Sequence, residues 1–370
     1  MSIYYWREFL RKPPIFYVYP KHKRVSFTLV AKPYIDGLKK YFRVYEIFEL
    51  TFPDIDVNKE IMLIIHPFFF IMQRKTDWAI RKIRESRGTI AVDVADSDKL
   101  SYMAVSLLNY CDAAIVPSNF AREAYIRSGV RIPVHVVPHA LEPIYYRTRR
   151  GEVVSYHPKI RMLREMKQKN KNLLYFIFFQ RHSGWRKGCD LVSLVIDKIK
   201  KEYSNVRLIV VASEMPRDWA VPAEKLIDVL ITEWLSLSDL VALYDLCDIY
   251  PAFSRAGGFE KNMLEAISRG VVTIACSKGS WTDFMPDFLL VPYWRKCPIF
   301  PPGALPNVIH VGEGYEISLD KAYEKIKDVI ENLDEYRAKT LEWFEKIKHR
   351  YTWETVGEEF AKVVLKYYYK

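Results

Sequence analysis

The sequence predicts an α/β protein built from two doubly wound domains, each with a parallel sheet covered by helices. Short β-branched and aromatic runs alternate with amphipathic helical stretches through most of the 370 residues. The alternation pauses once, over 141–172, and then restarts. A chain of this length is long enough for two domains of ordinary size.

The first half contains six strand-like runs. They lie at 15–19, 43–50, 61–67, 89–94, 113–118 and 134–139, with helical patterns at 28–41, 71–86, 99–110 and 119–128. Strands this short, separated by helices, indicate βαβ units. We therefore expect a first domain at 1–145 and an interdomain connection at 146–172, with a short helix near 160–167.

The second half repeats the pattern. Strands are predicted at 173–179, 206–212, 229–233, 249–253, 271–276 and 288–292, and helices at 189–202, 238–247, 260–269, 319–350 and 353–369. This gives a second domain at 173–350 and a C-terminal helix at 351–370. Ligands of such sheets bind beyond the carboxyl ends of the strands, so the strand-to-helix loops are the candidate sites.

Composition indicates a globular chain, with 50% hydrophobic and 27% charged residues. The five cysteines are scattered and form no CxxC pair, so we expect them to be reduced and structural. The densest apolar run, 61–72, is interrupted by His66 and Pro67 and is too short to span a bilayer. With no apolar leader at 1–14, the expected location is cytoplasmic.

The net charge of +11 is concentrated in the first half, where residues 1–150 carry 24 Lys and Arg against 15 Asp and Glu. This surface could face an anionic membrane, an acidic acceptor or nucleic acid, or it could simply be solvated. The helical pattern at 71–87 is basic and amphipathic. It could lie peripherally on an anionic membrane, or pack with a solvated basic face.

A loop with two adjacent glycines lies between a predicted strand and a predicted helix. Gly257 and Gly258 have no side chains, so a ligand can approach their backbone N–H groups closely. The helix that follows adds unpaired N–H groups and a positive dipole end, which suits a diphosphate. Glu265, one to two turns into the helix, can accept hydrogen bonds from both hydroxyls of a ribose. A tight turn is the alternative meaning of the glycines.

A second glycine-containing loop follows the first strand of the second half. It carries Arg181, Arg186 and Lys187 just before a helix. A departing nucleoside diphosphate gathers negative charge in the transition state, and fixed cations stabilise that charge. The alternative is a solvated basic turn.

The first of these loops resembles the donor signature of the group 1 glycosyltransferases of family 4, E-G-F-G-x-x-x-L-E-A. Gly258, Phe259 and the Leu-Glu-Ala at 264–266 match. Two positions depart from the signature. Gly257 stands where the family usually has its first glutamate, and Glu260 stands where it usually has glycine.

The second loop resembles the family segment G-R-x-x-x-x-K-G-x-D-L. Lys187, Gly188, Asp190 and Leu191 match, whereas Arg181 lies six residues before the lysine rather than five. Arg186 is the competing candidate for the family's arginine. Weaker similarities at 111–120, 136–142, 232–235 and 351–353 extend the resemblance over most of the chain from about residue 113.

The resemblance implies the GT-B fold, in which two Rossmann-like domains face a central cleft and the C-terminal helix crosses back to the first domain. It implies a retaining, metal-independent hexosyl transfer from a UDP or GDP sugar, with no cofactor. Mapped onto this sequence, the candidate catalytic residues are Arg181 and Lys187. Glu260 is a third candidate, which does not align with the family's first glutamate but could reach the same space from a neighbouring position. The candidate donor-binding residues are Arg186, Thr232, Trp234, Gly257, Gly258, Phe259, Asn262 and Glu265.

The acceptor is expected in the first domain, where the resemblance is thin. The candidate cleft residues there lie at predicted strand ends and are Lys21, His66, Asp96, Ser97 and His139. Clustered aspartates ordinarily suggest a metal, but the resembled family works without one, and no metal site is predicted. The acceptor could be a carbohydrate, a lipid-linked molecule or a protein.

Two other functions stay open. Gly257 in place of a glutamate would suit a degenerate GT-B protein that binds nucleotide or sugar without catalysis. The charge of +11 would suit a nucleic-acid-binding protein. However, the sequence has no recognised nucleic-acid module, so no nucleic acid is expected as a partner.

Overall fold

A computed structural model describes residues 12–21, 26–68, 71–73, 76–180, 183–216, 218–304 and 307–370. The described residues form two units. The first unit runs to Ala140 and also takes in residues 307–312 and 350–370. The second unit comprises 141–304 and 313–349.

The first unit has a six-stranded parallel sheet in the order β2-β1-β3-β4-β5-β6. Its strands are β1 (Pro14–Tyr19), β2 (Arg43–Phe48), β3 (Met62–Ile65), β4 (Gly88–Val92), β5 (Ala113–Val116) and β6 (Val134–Val136). Its helices in this part of the chain are α1 (Ser26–Lys39), α2 (Asp77–Glu85), α3 (Tyr102–Leu108) and α4 (Asn119–Ser128). Each predicted run of the first half therefore forms a strand.

Both faces of this sheet are buried, as expected for parallel strands covered by helices. Successive residues of a strand point to opposite faces, so Tyr17 and Tyr19 enter one core cluster while Val18 enters the other. Local signals set the helix limits. Ser118 caps α4 by accepting a bond from the Ala121 N–H, and Gly129 ends the helix with φ of 98°.

The second unit has a parallel six-stranded sheet in the order β12-β11-β10-β7-β8-β9. Its strands are β7 (Leu174–Gln180), β8 (Val206–Ala212), β9 (Ile227–Ile231), β10 (Ile249–Ala252), β11 (Val272–Cys276) and β12 (Leu290–Val291). An antiparallel ribbon follows, formed by β13 (Tyr293–Pro298) and β14 (Glu313–Ile317), which the sequence did not predict.

The helices of the second unit are α5 (Ile144–Arg147), α6 (Pro158–Lys169), α7 (Cys189–Glu202), α8 (Ala223–Leu226), α9 (Leu237–Leu246), α10 (Lys261–Ser268), α11 (Leu319–Glu331) and α12 (Leu333–Ile347). The helical region predicted at 319–350 is thus two helices, separated at Asn332, whose φ and ψ of −122° and 33° are not helical. The two sheets confirm the predicted fold class of two doubly wound domains.

The predicted interdomain connection, 146–172, lies instead within the second unit. Hydrogen bonds and ion pairs of two cations hold it there. Arg269 donates to the carbonyl oxygens of Thr148 and Arg149, both at 2.7 Å, and pairs with Asp245 at 2.7 Å. Lys167 on α6 pairs with Asp248 at 2.5 Å.

Residues 307–312 belong to the first unit although they interrupt the second, a feature that no sequence pattern indicated. The Ser101 N–H donates to the Ile309 carbonyl at 2.8 Å, and the Ser101 hydroxyl donates to the Val308 carbonyl at 2.6 Å. Backbone pairing with the start of α3 therefore fixes this excursion.

The C-terminal helix α13 (Trp353–Tyr368) packs on α1 of the first unit. The backbones meet at Gly37 and Gly357, where a Cβ on Gly357 would lie 2.6 Å from the Pro33 carbonyl oxygen. Beside this contact Tyr34 and Phe360 stack, with ring centroids 4.2 Å apart. The C-terminal helix thus packs on the first unit, as the sequence predicted.

All five cysteines are free thiols in buried positions. Burial raises the pKa of the Cys189 thiol to about 12, so this thiol stays protonated at neutral pH.

Candidate functional site

Two loops of the second unit meet because their strands are neighbours. β7 and β10 are adjacent parallel strands, so the segments that follow them leave the same edge of the sheet. The Arg255 N–H, after β10, donates to the Arg186 carbonyl, after β7, at 2.8 Å. The two resemblance motifs of the sequence therefore form one site.

The loop after β10 is buried along its whole length, from 253 to 260. Phe259 anchors it in the core, with its ring 5.3 Å from that of Phe284. The loop ends at Glu260, which has φ of 57° and ψ of 55° and opens α10. The glycines at 257 and 258 are also buried, and the close approach of a ligand to their backbone stays a prediction.

The loop after β7 leads into α7 at Gly188, which has φ of 72°. A side chain there would be strained and would also come within 2.9 Å of the Phe253 carbonyl carbon. Glycine at this position therefore lets the two loops pack closely. Arg181, the first candidate for the family's arginine, lies outside the described residues.

Three charged side chains come together where the loops meet. Lys187 Nζ pairs with Glu260 Oε2, and Arg186 Nη1 lies 3.6 Å from Glu260 Oε1. Arg186 also donates to the Ala256 carbonyl at 3.0 Å and to Ser183 Oγ at 3.2 Å. The cations are partly accessible, with 17% and 19% of their side chains exposed, whereas the Glu260 side chain is 2% exposed. The cluster therefore consists of two partly exposed cations that contact one buried carboxylate.

Arg255 links the elements that form the site, a role that the sequence did not reveal. Its guanidinium binds both carboxylate oxygens of Asp190, at 2.7 and 2.8 Å, and Glu316 Oε2 on β14 at 2.7 Å. It also stacks over the Trp185 ring, 4.0 Å from the centroid. One buried arginine therefore ties together both loops and the β13–β14 ribbon.

Glu265, the predicted ribose ligand, is buried on α10. Its Oε2 accepts a bond from the Tyr244 hydroxyl at 3.1 Å, and its Oε1 lies 3.9 Å from Lys261 Nζ. Lys261 in turn pairs with Glu142 at 2.6 Å. Burial raises the pKa of Glu265 to about 7, while Lys261 acts in the opposite direction. Lys261 and Tyr244 belong to no motif, and only the fold shows that they adjoin Glu265.

The remaining donor candidates lie around this core. Asn262, on the first turn of α10, donates to the Tyr244 hydroxyl oxygen at 3.3 Å. Thr232 and Trp234 follow β9, at the edge of the sheet, and both are exposed, Trp234 to 46%. β9 is separated from β7 by β8, so the fold leaves these two residues on a separate loop from the charged cluster.

The acceptor candidates of the first unit follow four of its strands. Lys21, His66 and the pair Asp96 and Ser97 come after β1, β3 and β4, which are neighbours, whereas His139 follows β6 at the sheet edge. Lys21 is exposed, and Asp96 and His139 are half-buried.

Two of these candidates are used inside the first unit. Ser97 is fully buried, donates to the Lys99 carbonyl at 2.7 Å and accepts from the Gly312 N–H at 3.2 Å. His66 is buried beside the Tyr17 hydroxyl, 3.3 Å from Nε2. Burial lowers the pKa of His66 to about 3, so its ring is neutral. Their contact with an acceptor stays a prediction.

Asp93 is a buried carboxyl at the end of β4 that was not among the candidates. It accepts bonds from the Phe68 N–H at 2.8 Å and the Val94 N–H at 2.9 Å, and so joins the segments after β3 and β4. Burial raises its pKa to about 8. No sequence pattern indicates that Asp93, rather than Asp96, is the buried carboxyl.

The basic segment 71–87 is shorter as a helix than predicted. It contains a 3-10 turn at Ile71–Gln73 and α2. Lys82 is buried and donates to the Ile55 carbonyl, and Arg87 stacks over Tyr368 at 4.4 Å. Part of the predicted basic face is thus used in packing. Every helix in the described part of the chain is too short or too polar to cross a bilayer.

The chain is similar to known proteins in sequence and in fold. The family model "Glycosyl transferases group 1" matches residues 174–292, which include both loops. The chain is 30% identical to Uncharacterized protein 356 of Sulfolobus islandicus rod-shaped virus 1 over 361 residues, which is 95% of this chain and 98% of the relative. It is 27% identical to "Putative glycosyltransferase 45" of a Sulfolobus islandicus filamentous virus, over 80% of this chain and 79% of that one.

Solved structures show the same fold at low identity. Anabaena HepE in complex with UDP-glucose has a TM-score of 0.65 at 16% identity, over 95% of this chain and 99% of HepE. The pneumococcal O-GlcNAc transferase GtfA, in complex with UDP and GlcNAc, has a TM-score of 0.54 at 14% identity, over 85% of this chain and 58% of GtfA. The family match, these structural neighbours and the two parallel-sheet units lead to one assignment. The chain belongs to the group 1 glycosyltransferases and has the GT-B fold.

Proposed function

We propose that this protein transfers a sugar from a UDP-sugar to an acceptor hydroxyl, with retention of the anomeric configuration and without a metal ion. The main support for this proposal is that Lys187 and Arg186 lie beside the start of α10 at one edge of the second sheet. UDP as the nucleotide is supported by the UDP and UDP-glucose bound to structures of similar fold.

The charges of the site suit the leaving group. When the bond between sugar C1 and the β-phosphate oxygen breaks, its electron pair stays on the departing UDP. Lys187 and Arg186 can stabilise that charge from fixed positions, a task that Mg²⁺ performs in other transferases. Arg181 stays a second candidate for this task. Glu265 would accept the ribose hydroxyls, while Thr232 and Trp234 would lie near the base.

A retaining transfer does not require a catalytic base from the first unit. The acceptor oxygen attacks C1 from the side that UDP leaves, and its proton passes to the departing phosphate oxygen. The diphosphate then serves as the base, so no side chain of the first unit has to remove the proton. The acceptor candidates Lys21, Asp96 and His139 would need only to bind and orient the acceptor.

The test is release of UDP from a panel of UDP-sugars by the purified chain and its variants. We expect at least one sugar to be turned over, and Lys187→Ala to lower the rate by about 100-fold, the usual cost of removing one transition-state charge partner. Lys201→Ala is the matched control, since this lysine lies on α7 with 71% of its side chain exposed. Equal rates for wild type and Lys187→Ala would refute the site, and binding of UDP without any turnover would favour the non-catalytic alternative.

A further inference from the structure

Positions 257 and 260 carry an unusual pair of residues. Among the described residues, Glu260 is the only one other than glycine with positive φ. Left-handed backbone disfavours residues with a Cβ, so glycine is the expected occupant of position 260. Glycine stands instead at 257, where the backbone does not have positive φ. Conformation alone therefore explains neither residue.

The side chain of Glu260 explains both. A Cβ on Gly257 would overlap Glu260 Oε1 and would lie 2.8 Å from Glu260 Cδ. The carboxylate of residue 260 thus fills the volume into which a side chain at 257 would project. Glycine at 257 leaves that volume to the Glu260 side chain.

The Glu260 carboxylate contacts two cations and does not cap helix α10. Glu260 occupies the N-cap position of α10, where an acidic side chain commonly accepts a bond from the first turn. Here it makes no capping bond. It pairs with Lys187 and lies 3.6 Å from Arg186, with only 2% of its side chain exposed. A strained, buried residue held by two ion pairs is typical of a functional position.

We propose that Gly257 and Glu260 have exchanged roles: glycine clears the volume beside the loop, and Glu260 fills it with the carboxylate that positions Lys187 and Arg186 for the donor diphosphate. This inference rests on the proposed function. Glu260 is a positioning residue in this account. One carboxylate between two cations fixes their geometry and leaves net positive charge for the ligand.

The exchange is tested by reversing it. Glu260→Gly should lower kcat for the UDP-sugar at least tenfold, because Lys187 loses its partner, while the melting temperature is maintained by relief of the left-handed backbone. Gly257→Glu alone should weaken UDP binding, because two carboxylates then compete for one volume. The double variant Gly257→Glu/Glu260→Gly should return kcat to within about threefold of wild type, because a carboxylate again faces the two cations.

Gly257→Ala/Glu260→Gly is the matched control, because it has the same backbone change and fills part of the volume but restores no carboxylate. It should stay as slow as Glu260→Gly. The inference is overturned if the double variant with glutamate is no faster than this control, or if Glu260→Gly is as active as wild type.

Calorimetric Kd values for UDP distinguish a failure of the exchange between positions 257 and 260 from a failure of the proposed function. A wild-type chain that binds UDP but turns over no sugar contradicts the proposed function alone. The exchange is then judged by Kd, which should be weakened in Glu260→Gly and recovered in the double variant with glutamate. Equal Kd values in these two variants would overturn the exchange.

Discussion

Glu265, the proposed ribose ligand, has a pKa that is set mainly by its burial. The carboxyl is surrounded by Lys261, Glu142, Tyr244 and Tyr145, and burial raises its pKa to about 7. Under the proposed function, its ionised form would accept hydrogen bonds from two ribose hydroxyls. Near neutral pH the residue is therefore close to half-charged before the donor binds.

Donor affinity should consequently depend on pH. Binding requires the ionised carboxylate, so the Kd for a UDP-sugar should rise about tenfold for each pH unit below 7 and level off above 8. Titration calorimetry from pH 5.5 to 8.5 measures this, with a UDP-sugar as ligand because its diphosphate does not titrate in that range. Glu265→Gln should bind more weakly and show a flat profile, and an equally steep profile in that variant would assign the dependence to another group.

Protonation of Glu265 also affects the stability of the fold. As pH rises, stability should fall whereas donor affinity should increase. The folded chain holds the proton up to about pH 7, whereas an ordinary glutamate releases it near 4.5. The free energy of unfolding of the unliganded protein should therefore fall as pH rises from about 4.5 to 7, and Glu265→Gln should remove that part of the fall.

Residues of the site were predictable where a motif fixes their spacing. Lys187 and Glu265 follow from their places before and within a predicted helix, and the structure puts both at the same sheet edge. Arg255 and Lys261 were not predictable, because their roles depend on contacts with Asp190, Glu316 and Glu142, which are distant in sequence.

At the scale of elements, the contact between α1 and α13 depends on two glycines. Ala normally stabilises a helix by about 1 kcal/mol relative to Gly. At position 357 a Cβ would lie 2.6 Å from the Pro33 carbonyl oxygen, and at 37 it would overlap the Gly357 carbonyl. The backbone atoms cannot rotate away as a side chain could.

Gly357→Ala should therefore destabilise the protein by about 1–3 kcal/mol, the usual cost of overpacking, in spite of the better helix propensity. Chemical denaturation measures the change. Glu359→Ala, at an exposed position on α13, is the control and should change stability by less than about 0.5 kcal/mol. A raised melting temperature for Gly357→Ala would show that the helices do not approach as closely as described.

Elements with regular periodicity were predicted well, and irregular ones were not. The helix over Cys189–Glu202 and the strand over Val206–Ala212 have the predicted limits, because their apolar patterns are clear. β13 has the exposed sequence Tyr-Trp-Arg-Lys, which lacks the apolar alternation of a half-buried strand. It is stabilised by pairing with β14 and by the ion pair between Arg295 and Glu316, at 3.0 Å.

At the scale of the whole molecule, the sequence predicted two doubly wound units but not where the chain passes between them. Residues 146–172 lie with the second unit because Arg269 binds their backbone and their Lys167 pairs with Asp248. Residues 307–312 lie with the first because their backbone pairs with residues near Ser101. Such long-range backbone contacts leave no periodic pattern in a sequence.

Sugar transfer from a nucleotide sugar is proposed to occur where the β7 and β10 loops meet. A proton NMR time course of an α-linked UDP-sugar with the purified chain tests it most directly, because transfer to water can be followed without knowing the acceptor. We predict that the donor anomeric signal declines, that the first sugar released is the α anomer, and that Lys187→Ala slows the decline about 100-fold. A donor signal that stays constant overnight with stoichiometric protein would contradict the claim, and a β anomer formed first would contradict retention.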